Sequence, residues 1–471
     1  MTEFSKLNSV SRSRTISVGS LTKVSGDGAK LVSSRICTDY IQIHTLIKVL
    51  RELGEISDFF HFHKSDRSPY FRYNPSYNQE AIMYRIGKEE IEAVARAIDS
   101  HDFFKVNGAG REVYHFEEEW KAYTGAAYTL LMTSGYGALT AALTAMGIGP
   151  GDEVIVPGYT YIATALAVLE AGAIPVICEC DAAMTIDVAD AERKISAHTR
   201  AIIPVHIQGF PCDMDGVMAL AKKHNLYVLE DACQADGGSY HGRALGTIGH
   251  AGAYSFNYFK VITSGEGGAL ATNDRKIYER ALIYHDSSAV AFFGDQLSDV
   301  SEPLFGGTEF RISDITGAIL REQLKKLPGI LADLRRVKAE VRAKMGDKLT
   351  EAPSHDAEGD LGTTLALRFD TAEETRAFAA HMAQYGYGIT IPIDTGKHVY
   401  TNWTQVMEKR GALHPAMDPY KMEANRGLNA NYTTDMCPHT LDYLARTAYL
   451  MVNPDWNAQV VDAIASAMRS F

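Results

Sequence analysis

Apolar and polar positions alternate along this chain with a period that changes from one element to the next. Short continuous apolar runs, which are typical of buried strands, are separated by segments whose apolar residues lie three or four apart, which are typical of helices. From Lys88 onward these two patterns follow each other regularly. They predict helix Glu90 to Ile98, strand Tyr128 to Met132, helix Gly137 to Met146, strand Glu153 to Val156, helix Ala163 to Ala171, strand Ile174 to Cys178, helix Ala189 to Ile195, strand Ala201 to His206, helix Met214 to His224 and strand Tyr227 to Leu229.

This βα repetition predicts an α/β fold in which helices cover both faces of a large, mostly parallel sheet. In such sheets ligands bind in the loops just beyond the carboxyl ends of the strands. The pattern changes after Asp231, where Ala253 to Phe256 and Ala269 to Thr272 predict a hairpin on either side of Lys260. We therefore expect the chemistry of the protein in these loops.

The last third of the chain predicts a smaller α/β lobe. It begins with a long helix from Thr316 to Lys344, which we expect to be interrupted at Pro328 and Gly329 because proline removes a backbone donor. The later elements are predicted as strand Thr364 to Phe369, helix Ala372 to Tyr385, and helices Leu441 to Met451 and Val460 to Met468. These patterns divide the chain into three predicted regions: an N-terminal extension over 1–78, a large domain over 79–325 and a small domain over 326–471.

The N-terminal extension has a different composition from the rest of the chain. Residues 1–35 are rich in Ser, Gly and basic residues, a composition shared by flexible arms and by transit peptides. Apolar residues then recur at helical spacing at Ile43, Ile47, Leu50 and Leu53. This stripe predicts a helix over 41–56 that docks on a core or on a partner surface.

Composition and charge narrow the classes of function. The 471 residues are 46% hydrophobic and 22% charged, which is ordinary for a soluble enzyme. The net charge of −12 argues against nucleic-acid and membrane-surface partners, because phosphate-rich surfaces attract clustered Lys and Arg. No apolar run is long enough to span a bilayer, and the N-terminus lacks the apolar core of a secretory signal.

The cysteines bear on the cellular compartment. There are six, and they are scattered along the chain. Cys178 and Cys180 form a close pair, but no second pair stands at zinc-finger spacing. We interpret all six as reduced thiols, and we expect a cytoplasmic protein without a metal site.

The strongest chemical signal surrounds Lys260. This lysine lies between Ser255 and a glycine-rich turn, and Asp231 closes an apolar strand upstream. A pyridoxal 5'-phosphate (PLP) cofactor needs an amine to form a Schiff base with its aldehyde, and a carboxylate to keep its pyridine nitrogen protonated. Lys260 and Asp231 fit these two roles, and the Ser255 hydroxyl suits the phosphate. The alternative is a solvated lysine beside a plain turn, and the ordered set of residues argues against it.

Four separated motifs carry a resemblance to a known family. They are Thr133 to Ala138, Pro157 to Tyr161, Glu230 to Gln234 and Ser255 to Gly268, in this order. Through them, the chain from residue 80 to 471 resembles the DegT/StrS family of sugar and cyclitol aminotransferases, a branch of the fold type I PLP enzymes. The resemblance implies a PLP-dependent transaminase that works as a homodimer with shared active sites.

The resemblance also implies which residues hold the phosphate of the cofactor. The proposed cradle consists of Ser134, Gly135, Tyr136 and Gly137. These residues begin a helix, and the N-terminal amides of a helix favour an anion. The alternative is an ordinary capped helix start that binds no ligand, because it would have the same sequence pattern. Tyr136 departs from the family, which usually has threonine there. We therefore expect backbone amides, rather than a side-chain hydroxyl, to make the contact at this position.

Two further cofactor contacts follow from the resemblance. Tyr161 stands where the family places an aromatic ring on the face of the cofactor, and such stacking excludes water from the ring. Gln234 stands at the position that reaches the phenolic oxygen of the cofactor in relatives. Both residues also have a plain interpretation as packing residues next to buried strands.

The candidate substrate contacts come from two later segments. Glu309 stands where relatives offer asparagine to the partner subunit's phosphate site, and a carboxylate would repel a phosphate dianion. Arg311 is a candidate for a substrate carboxylate, with a structural salt bridge as the equal alternative. His398 is a candidate pocket residue, with a surface loop as the alternative.

The predicted reaction is transamination, with glutamate or glutamine as the amino donor by resemblance. Lys260, once released as a neutral amine, would move a proton between the substrate carbon and the cofactor. Relatives that catalyse dehydration carry histidine at this position, so Lys260 argues against that chemistry. The expected acceptor is a ketone on a sugar, a cyclitol or a related natural-product intermediate. Two alternatives stay open: elimination on the same fold, and a PLP-binding regulatory protein without turnover.

Overall fold

The computed structural model describes residues 83–101, 103–105, 111–286 and 300–471. The chain divides into two units, residues 1–73 and 74–471, and every described residue belongs to the second unit. The predicted arm over 1–35 and the predicted helix over 41–56 lie outside the described residues. The fold and the site below are those of the second unit.

A seven-stranded sheet forms the centre of this unit. The strands up to residue 272 are β1 (Tyr128–Met132), β2 (Glu153–Pro157), β3 (Ile174–Cys178), β4 (Thr199–Ile202), β5 (Tyr227–Asp231), β6 (Ser239–Tyr240), β7 (Arg243–Ala244), β8 (Ala251–Ser255) and β9 (Gly268–Thr272). The large sheet has the order β1-β9-β8-β5-β4-β2-β3, and β6 pairs with β7 separately. All neighbouring pairs of the large sheet are parallel except the two that involve β9.

Helices alternate with these strands in the predicted manner. They are α1 (Lys88–Asp99), α2 (Glu112–Thr124), α3 (Gly135–Ala145), α4 (Ala163–Glu170), α5 (Val188–Lys194), α6 (Met214–His224) and α7 (Arg275–His285). The predicted bounds of β1, β3 and α6 agree with the structure, and the other predicted bounds differ by a few residues. The predicted strand from Ala201 to His206 is shorter, because β4 ends at Ile202.

Neighbouring side chains within one strand pack into two different apolar clusters, one on each face of the sheet. Val154 and Val156 of β2 pack in one apolar cluster, whereas Ile155 between them packs in the other, and all three are fully buried. Successive side chains of a strand point to opposite faces of the sheet. The sheet is therefore covered on both faces, which explains why its strands are continuous apolar runs rather than alternating ones.

The C-terminal part is built on a second, three-stranded antiparallel sheet of order β10-β11-β12. Its elements and their helices are α8 (Asp314–Lys344), β10 (Thr350–Glu351), β11 (Thr364–Arg368), α9 (Ala372–Gln384), α10 (Thr404–Met407), α11 (Pro438–Ala445), β12 (Thr447–Met451) and α12 (Ala458–Arg469). The division into domains over 79–325 and 326–471 stays a prediction, and its boundary falls inside α8.

Two predictions in this part are wrong. The segment Leu441 to Met451 is not one helix, because α11 ends at Ala445 and β12 follows as a strand paired along its whole length with β11. The helix through Pro328 is not interrupted, because α8 continues to Lys344. Buried residues on both sides of the proline, among them Leu324 and Leu331, pack into the same core. This packing outweighs the one backbone hydrogen bond that proline removes.

The topology gathers four loops at one edge of the sheet. Strands β1, β2, β5 and β8 all run in the same direction, since β9 is antiparallel to both of its neighbours, β1 and β8. The carboxyl ends of these four strands consequently point the same way. The four sequence motifs follow these ends, which places them together as expected for a sheet of this kind.

Candidate active site

A cavity of about 500 Å³ opens at this edge of the sheet. This size lies within the range of small-molecule sites. The predicted site residues that line it are Ser134, Gly135, Tyr136, Tyr161, Asp231, Gln234, Ser255, Lys260 and His398. Gly137, the next residue after Tyr136, is not among the described residues that line the cavity. Its backbone amide donates a hydrogen bond to the Ser134 hydroxyl. The cavity thus brings together residues that are separated by more than 260 positions in the sequence.

Lys260 is held in a compact loop between β8 and β9. Within this loop the amide of Phe256 donates to the Gly267 carbonyl at 2.9 Å, and the amide of Tyr258 donates to the Gly265 carbonyl at 3.0 Å. The Lys260 amide itself donates to the Asn257 carbonyl at 3.1 Å. These bonds continue the hairpin pairing beyond the strands and fix the backbone that carries the lysine.

Asp231 ends β5 with its carboxylate held on both oxygens. The Thr164 hydroxyl donates to Oδ2 at 2.7 Å, and the backbone amide of Cys233 donates to Oδ1 at 3.1 Å. The side chain is buried. Two donors from different elements leave the carboxylate little freedom to rotate, so its orientation toward the cavity is set by the protein.

The predicted phosphate cradle is the N-terminus of α3. Ser134 is its N-cap, and its hydroxyl oxygen accepts from the Gly137 amide at 3.0 Å. The first amides of a helix have no acceptor within the helix, and the positive end of its dipole favours an anion. Gly135 and Tyr136 occupy these first positions at the wall of the cavity. Ser255 lies beside them and is 6% exposed.

Gly268 lets β9 approach this cradle. A Cβ atom on Gly268 would lie 2.2 Å from the carbonyl carbon of Ser134 and 2.3 Å from the amide nitrogen of Gly135. Both contacts involve backbone, which cannot swing away as a side chain can. Glycine is therefore required here for the cradle to keep its position.

The side chain of Tyr136 is directed toward α4. Its hydroxyl lies 3.5 Å from the carbonyl oxygen of Leu166. Burial, and then the nearby Glu170 carboxylate, raise the pKa of this hydroxyl above its ordinary value. The hydroxyl therefore stays protonated, and Tyr136 offers the cavity wall its backbone amide and its ring.

Tyr161 and His398 form one side of the cavity. Their rings lie 5.3 Å apart with an interplanar angle of 55°, and Tyr161 is 46% exposed. The backbone joins the two segments, because the Thr160 amide donates to the His398 carbonyl at 3.0 Å. Burial lowers the pKa of the His398 imidazole below its ordinary value. The structure thus places His398 at the cavity, although its role toward a substrate stays a prediction.

Gln234 is oriented by Gln208, a residue that the sequence patterns did not single out. The side-chain oxygen of Gln234 accepts from the backbone amide of Gln208 at 3.1 Å, which leaves its amino group to donate elsewhere. Gln208 has a left-handed backbone with φ of 54°, and its carbonyl accepts from the Thr363 hydroxyl at 2.6 Å. Left-handed residues other than glycine are uncommon and often lie at functional sites.

Arg311 lies in an ion-pair cluster instead of in the cavity wall. Its guanidinium pairs with Asp286 and, at 2.9 Å, with Glu309, and it lies 4.9 Å from the centre of the Phe104 ring. It is not among the described residues that line the cavity. Arg311 neutralises Glu309, so the predicted repulsion between Glu309 and a phosphate is weakened. Its assignment as a substrate contact stays a prediction.

Several residues of the cavity were missed in the sequence. Thr164 lies in the first turn of α4, Thr363 lies just before β11, and Gln208 lies in a short 3-10 turn; none of the three stands in a sequence motif typical of this chemistry. Asp236 is a buried carboxyl that follows Asp231 by five positions and lines the same cavity. Only the short spacing from Asp231 could have pointed to Asp236.

The described parts of the chain contain neither a metal-binding cluster nor a membrane-spanning helix. Within them no three His, Cys, Asp or Glu side chains come close enough together to bind a metal ion. None of the described helices has both the length and the apolar composition that a bilayer crossing needs. The five described cysteines are free thiols.

A family model covers nearly all of the described chain. The model of the DegT/DnrJ/EryC1/StrS aminotransferase family matches residues 84–469. The chain belongs to this family. The resemblance carried by the four motifs is thereby confirmed, and so is the expectation of an aminotransferase.

Curated relatives of known name support the family membership. The spore coat polysaccharide biosynthesis protein SpsC of Bacillus subtilis is 31% identical over 394 residues, which are 82% of this chain and 94% of that protein. The dTDP-3-amino-3,6-dideoxy-alpha-D-galactopyranose transaminase of Aneurinibacillus thermoaerophilus is 33% identical over 70% of this chain and 89% of its own length. Both alignments span most of each relative.

Solved structures of aminotransferases share the fold. An aminotransferase from Psychrobacter cryohalolentis superimposes with a TM-score of 0.68 at 26% identity, covering 82% of this chain and 97% of that one. DesV of S. venezuelae, solved in complex with a ketimine intermediate, gives a TM-score of 0.66 at 28% identity and covers 81% and 94%. The fold of this aminotransferase family is therefore the α/β architecture predicted from the sequence.

Proposed function

We propose that this protein is a PLP-dependent aminotransferase that moves an amino group from glutamate or glutamine to a ketone on a sugar, a cyclitol or a related intermediate. The observation that carries the proposal is the shared cavity of Lys260 and Asp231, next to the N-terminus of α3. An amine, an oriented carboxylate and an anion site are the three groups that PLP requires.

The residues present fit this cofactor. Lys260 would bond to the aldehyde carbon, and Asp231 would hold the proton on the pyridine nitrogen. The amides of Gly135 and Tyr136, with the Ser255 hydroxyl, would hold the phosphate. Tyr161 would cover one face of the ring, and Gln234 would donate to the phenolic oxygen. When bound, PLP supplies an electron sink for cleavage of a bond to the carbon that carries the amino group.

Other groups of the chain orient the Asp231 carboxylate and move protons. Thr164 and the Cys233 amide keep the Asp231 carboxylate in place, so that a charge faces the pyridine nitrogen without reorganisation. With the cofactor bound, Lys260 would take up a proton from the substrate carbon that carries the amino group and later release it. Asp231 and Ser255 are buried, and burial strengthens the electrostatic interactions that these side chains make.

The proposed class of acceptor rests on relatives and on the cavity wall. Two relatives are described as GDP-perosamine synthases, and another as a putative L-glutamine:3-amino-2,3-dideoxy-scyllo-inosose aminotransferase. The described wall offers neutral polar groups suited to hydroxyls, namely Gln208, Asn257 and Thr363. A polyhydroxylated ketone fits such a wall.

A homodimer with shared sites is part of the proposal. The aromatic side chain of Phe259, beside the cavity, is 67% exposed in the single chain. Exposed aromatic groups are typical of interfaces. The Arg311 cluster would face the partner's site. We also keep the cytoplasmic location as a prediction.

The proposed reaction is tested by half-reactions. Purified protein loaded with PLP is mixed with glutamate, and separately with glutamine, and we expect one oxo acid to form for each pyridoxamine phosphate. Candidate keto-sugars and keto-cyclitols are then added, and the true acceptor restores the visible absorbance. Ammonia release without pyridoxamine phosphate would instead indicate elimination. Binding of PLP with no turnover on any ketone would indicate a regulatory protein.

A further inference from the structure

The side-chain amide of Gln234 could face the cavity in two ways, and one hydrogen bond decides between them. Its oxygen and its amino group have nearly the same shape, so a rotation by half a turn would exchange a donor for an acceptor. The backbone N–H of Gln208 donates to the oxygen of Gln234 at 3.1 Å. A backbone N–H can only donate, so it holds the oxygen and leaves the amino group to donate to a ligand in the cavity that Gln234 lines.

The direction of this N–H depends on a strained backbone. Gln208 is left-handed, with φ of 54° and ψ of 18°, which is costly for a residue that has a side chain. The planar peptide between Ile207 and Gln208 carries the N–H. A rotation of this peptide that relieved the left-handed backbone would therefore also turn the N–H away from Gln234. Such a turn persists only where its surroundings hold it in place.

The segment that leads into β11 holds the turn on one side. The buried Thr363 hydroxyl donates to the carbonyl of Gln208 at 2.6 Å. The carbonyl of Thr363 accepts from the amide of Val452 at 2.8 Å, which ties this threonine to the end of β12. The next residue of the turn, Gly209, accepts from the amide of Leu361 at 3.3 Å, and a Cβ atom on Gly209 would lie 2.6 Å from Cβ of Leu361. The turn is thus joined to the three-stranded sheet by hydrogen bonds and close packing.

The other side of the turn is fixed to β5. The amide of His206 donates to the Asp231 carbonyl at 3.1 Å. The Nδ1 atom of His206 accepts from the amide of Cys212, so the ring proton is on Nε2, which lies 3.1 Å from the Glu230 carboxylate. This side of the turn is therefore part of the large sheet. The Thr363 hydroxyl is the side-chain donor that reaches the carbonyl of Gln208 from the opposite side.

We propose that Thr363 is a positioning residue that acts through Gln208 and Gln234 on the phenolic oxygen of bound PLP. This inference rests on the proposed function, in which Gln234 donates to that oxygen. The Thr363 hydroxyl keeps the carbonyl of Gln208 in place, and the left-handed backbone keeps the N–H of Gln208 on the oxygen of Gln234. The amino group of Gln234 then faces the cofactor. A threonine of the three-stranded sheet thereby decides whether a residue beside the large sheet presents a donor or an acceptor.

The direction of the Gln234 amide has a measurable electrostatic effect. The bond between Lys260 and PLP holds one proton, which its nitrogen shares with the phenolic oxygen and which is lost as the pH rises. After that loss the oxygen carries a full negative charge, and a donor stabilises it, so the amino group of Gln234 lowers the pKa of this proton. Loss of the donor should raise the pKa by roughly one to two pH units, because a hydrogen bond to a charged group is among the stronger ones.

Visible absorbance as a function of pH measures this pKa in the full-length protein loaded with PLP. Thr363→Val removes the hydroxyl, keeps the shape of the side chain and should raise the pKa, whereas Thr363→Ser keeps the hydroxyl and should leave it unchanged. Thr447→Val is the matched control, because the buried Thr447 hydroxyl also donates to a backbone carbonyl at 2.6 Å within the same three-stranded sheet, away from the described cavity wall. An unshifted pKa in Thr363→Val, or an equal rise in Thr447→Val, would overturn the proposal.

Gln208→Gly tests whether the backbone of Gln208 carries the effect. Glycine keeps the N–H and adopts the left-handed conformation without strain, so the pKa should stay at the parent value. A raised pKa would show that the side chain of Gln208, rather than its backbone, orients Gln234, and the proposal would fall. This variant relieves the turn instead of weakening it, so it gives an answer even if Thr363→Val does not fold.

Amide exchange separates failure of the inference from failure of the proposed function. Hydrogen–deuterium exchange, followed by mass spectrometry on the cofactor-free protein, reports on the N–H of Gln208 without PLP. Thr363→Val should speed exchange in the peptide that contains residues 207–210, and Thr447→Val should not. Exchange at the parent rate in Thr363→Val would contradict the contact. If the parent protein shows no visible band with PLP, the proposed function fails and this role fails with it, whereas a band with an unshifted pKa removes Thr363 alone.

Discussion

Thr164 donates a hydrogen bond to Asp231, with 2.7 Å between its Oγ1 atom and Oδ2 of the carboxylate. The donor lies in the first turn of α4 and the acceptor at the end of β5, 67 positions later. The Thr160 hydroxyl lies 2.8 Å from the Thr164 hydroxyl and extends the chain of polar groups. The orientation of the Asp231 carboxylate therefore depends on Thr160 and Thr164 as well as on its own strand.

Thr164→Val removes this donor and keeps the shape of the side chain. A hydrogen bond to a charged group contributes about 1.5–3 kcal/mol, so we expect kcat/KM to fall by roughly 10- to 100-fold if the whole effect is felt in the transition state. Thr164→Ser keeps the hydroxyl and should stay within about threefold of the parent. Steady-state kinetics with glutamate measure kcat/KM for both variants. Equal values for Thr164→Val and Thr164→Ser would contradict the role given to the Thr164 hydroxyl.

Lys260→Ala removes the only amine among the described residues of the cavity wall. We expect the visible absorbance of the bond to PLP and the transfer of amino groups both to be lost, because no other group there can form that bond. Absorbance spectra and the glutamate half-reaction measure the two effects separately. Turnover retained in this variant would refute the role given to Lys260.

Gly268→Ala tests the close approach of β9 to the phosphate cradle. The new methyl group would lie 2.2 Å from backbone of Ser134, so the strand or the start of α3 must move. Overpacking costs about 1–3 kcal/mol, and contact with backbone places this site at the upper end. We expect a lower Tm and loss of PLP on dialysis. Gly306→Ala is the control, since no atom lies within 4 Å of its added Cβ, and it should leave both quantities unchanged.

Glu309→Asn tests the shared site of the proposed homodimer. The change removes one carboxylate from Arg311 and leaves Asp286 as its partner, so the local charge becomes more positive. If this cluster faces the partner's phosphate site, PLP should be retained longer on gel filtration. Glu408→Asn is the matched control, because Glu408 is also an exposed acid paired with an arginine two positions later.

Mixed dimers give a second measure of the same arrangement. Lys260→Ala is combined with a variant disrupted between residues 307 and 313, each inactive alone. One of the two sites in such a dimer would contain an intact lysine and an intact partner segment. We expect part of the activity to return on mixing. A monomer by light scattering at the working concentration would rule out the shared site and leave the chemistry of Lys260 untouched.

The sequence predicted the parts of the site that have a strong local pattern. Lys260 and Asp231 stand in motifs whose residue types are tied to one cofactor, and Ser134 stands at a helix start that its own N-cap chemistry marks. The strands around them are continuous apolar runs because both faces of the sheet are buried. Local composition was enough in each of these cases.

The missed parts depend on contacts between distant segments. Thr164 and Gln208 look like ordinary residues until folding places them beside Asp231 and Gln234. Leu441 to Met451 combines apolar spacing suited to a helix with a strand that only β11 stabilises. Pro328 suggested a break that buried packing along α8 overrides. Tertiary structure decides such cases, and a single sequence does not show it.

The contact between Gln208 and β11 has a consequence for chimeric enzymes. Thr363 donates to the Gln208 carbonyl at 2.6 Å, and Thr364 donates to its side-chain oxygen at 3.3 Å, while the Gln208 amide holds Gln234. A graft that exchanges residues 326–471 with those of a relative, made to transfer acceptor preference, would replace both threonines. Without hydroxyl donors at these two positions the graft would also release Gln234, so a loss of cofactor binding would be mistaken for a loss of specificity.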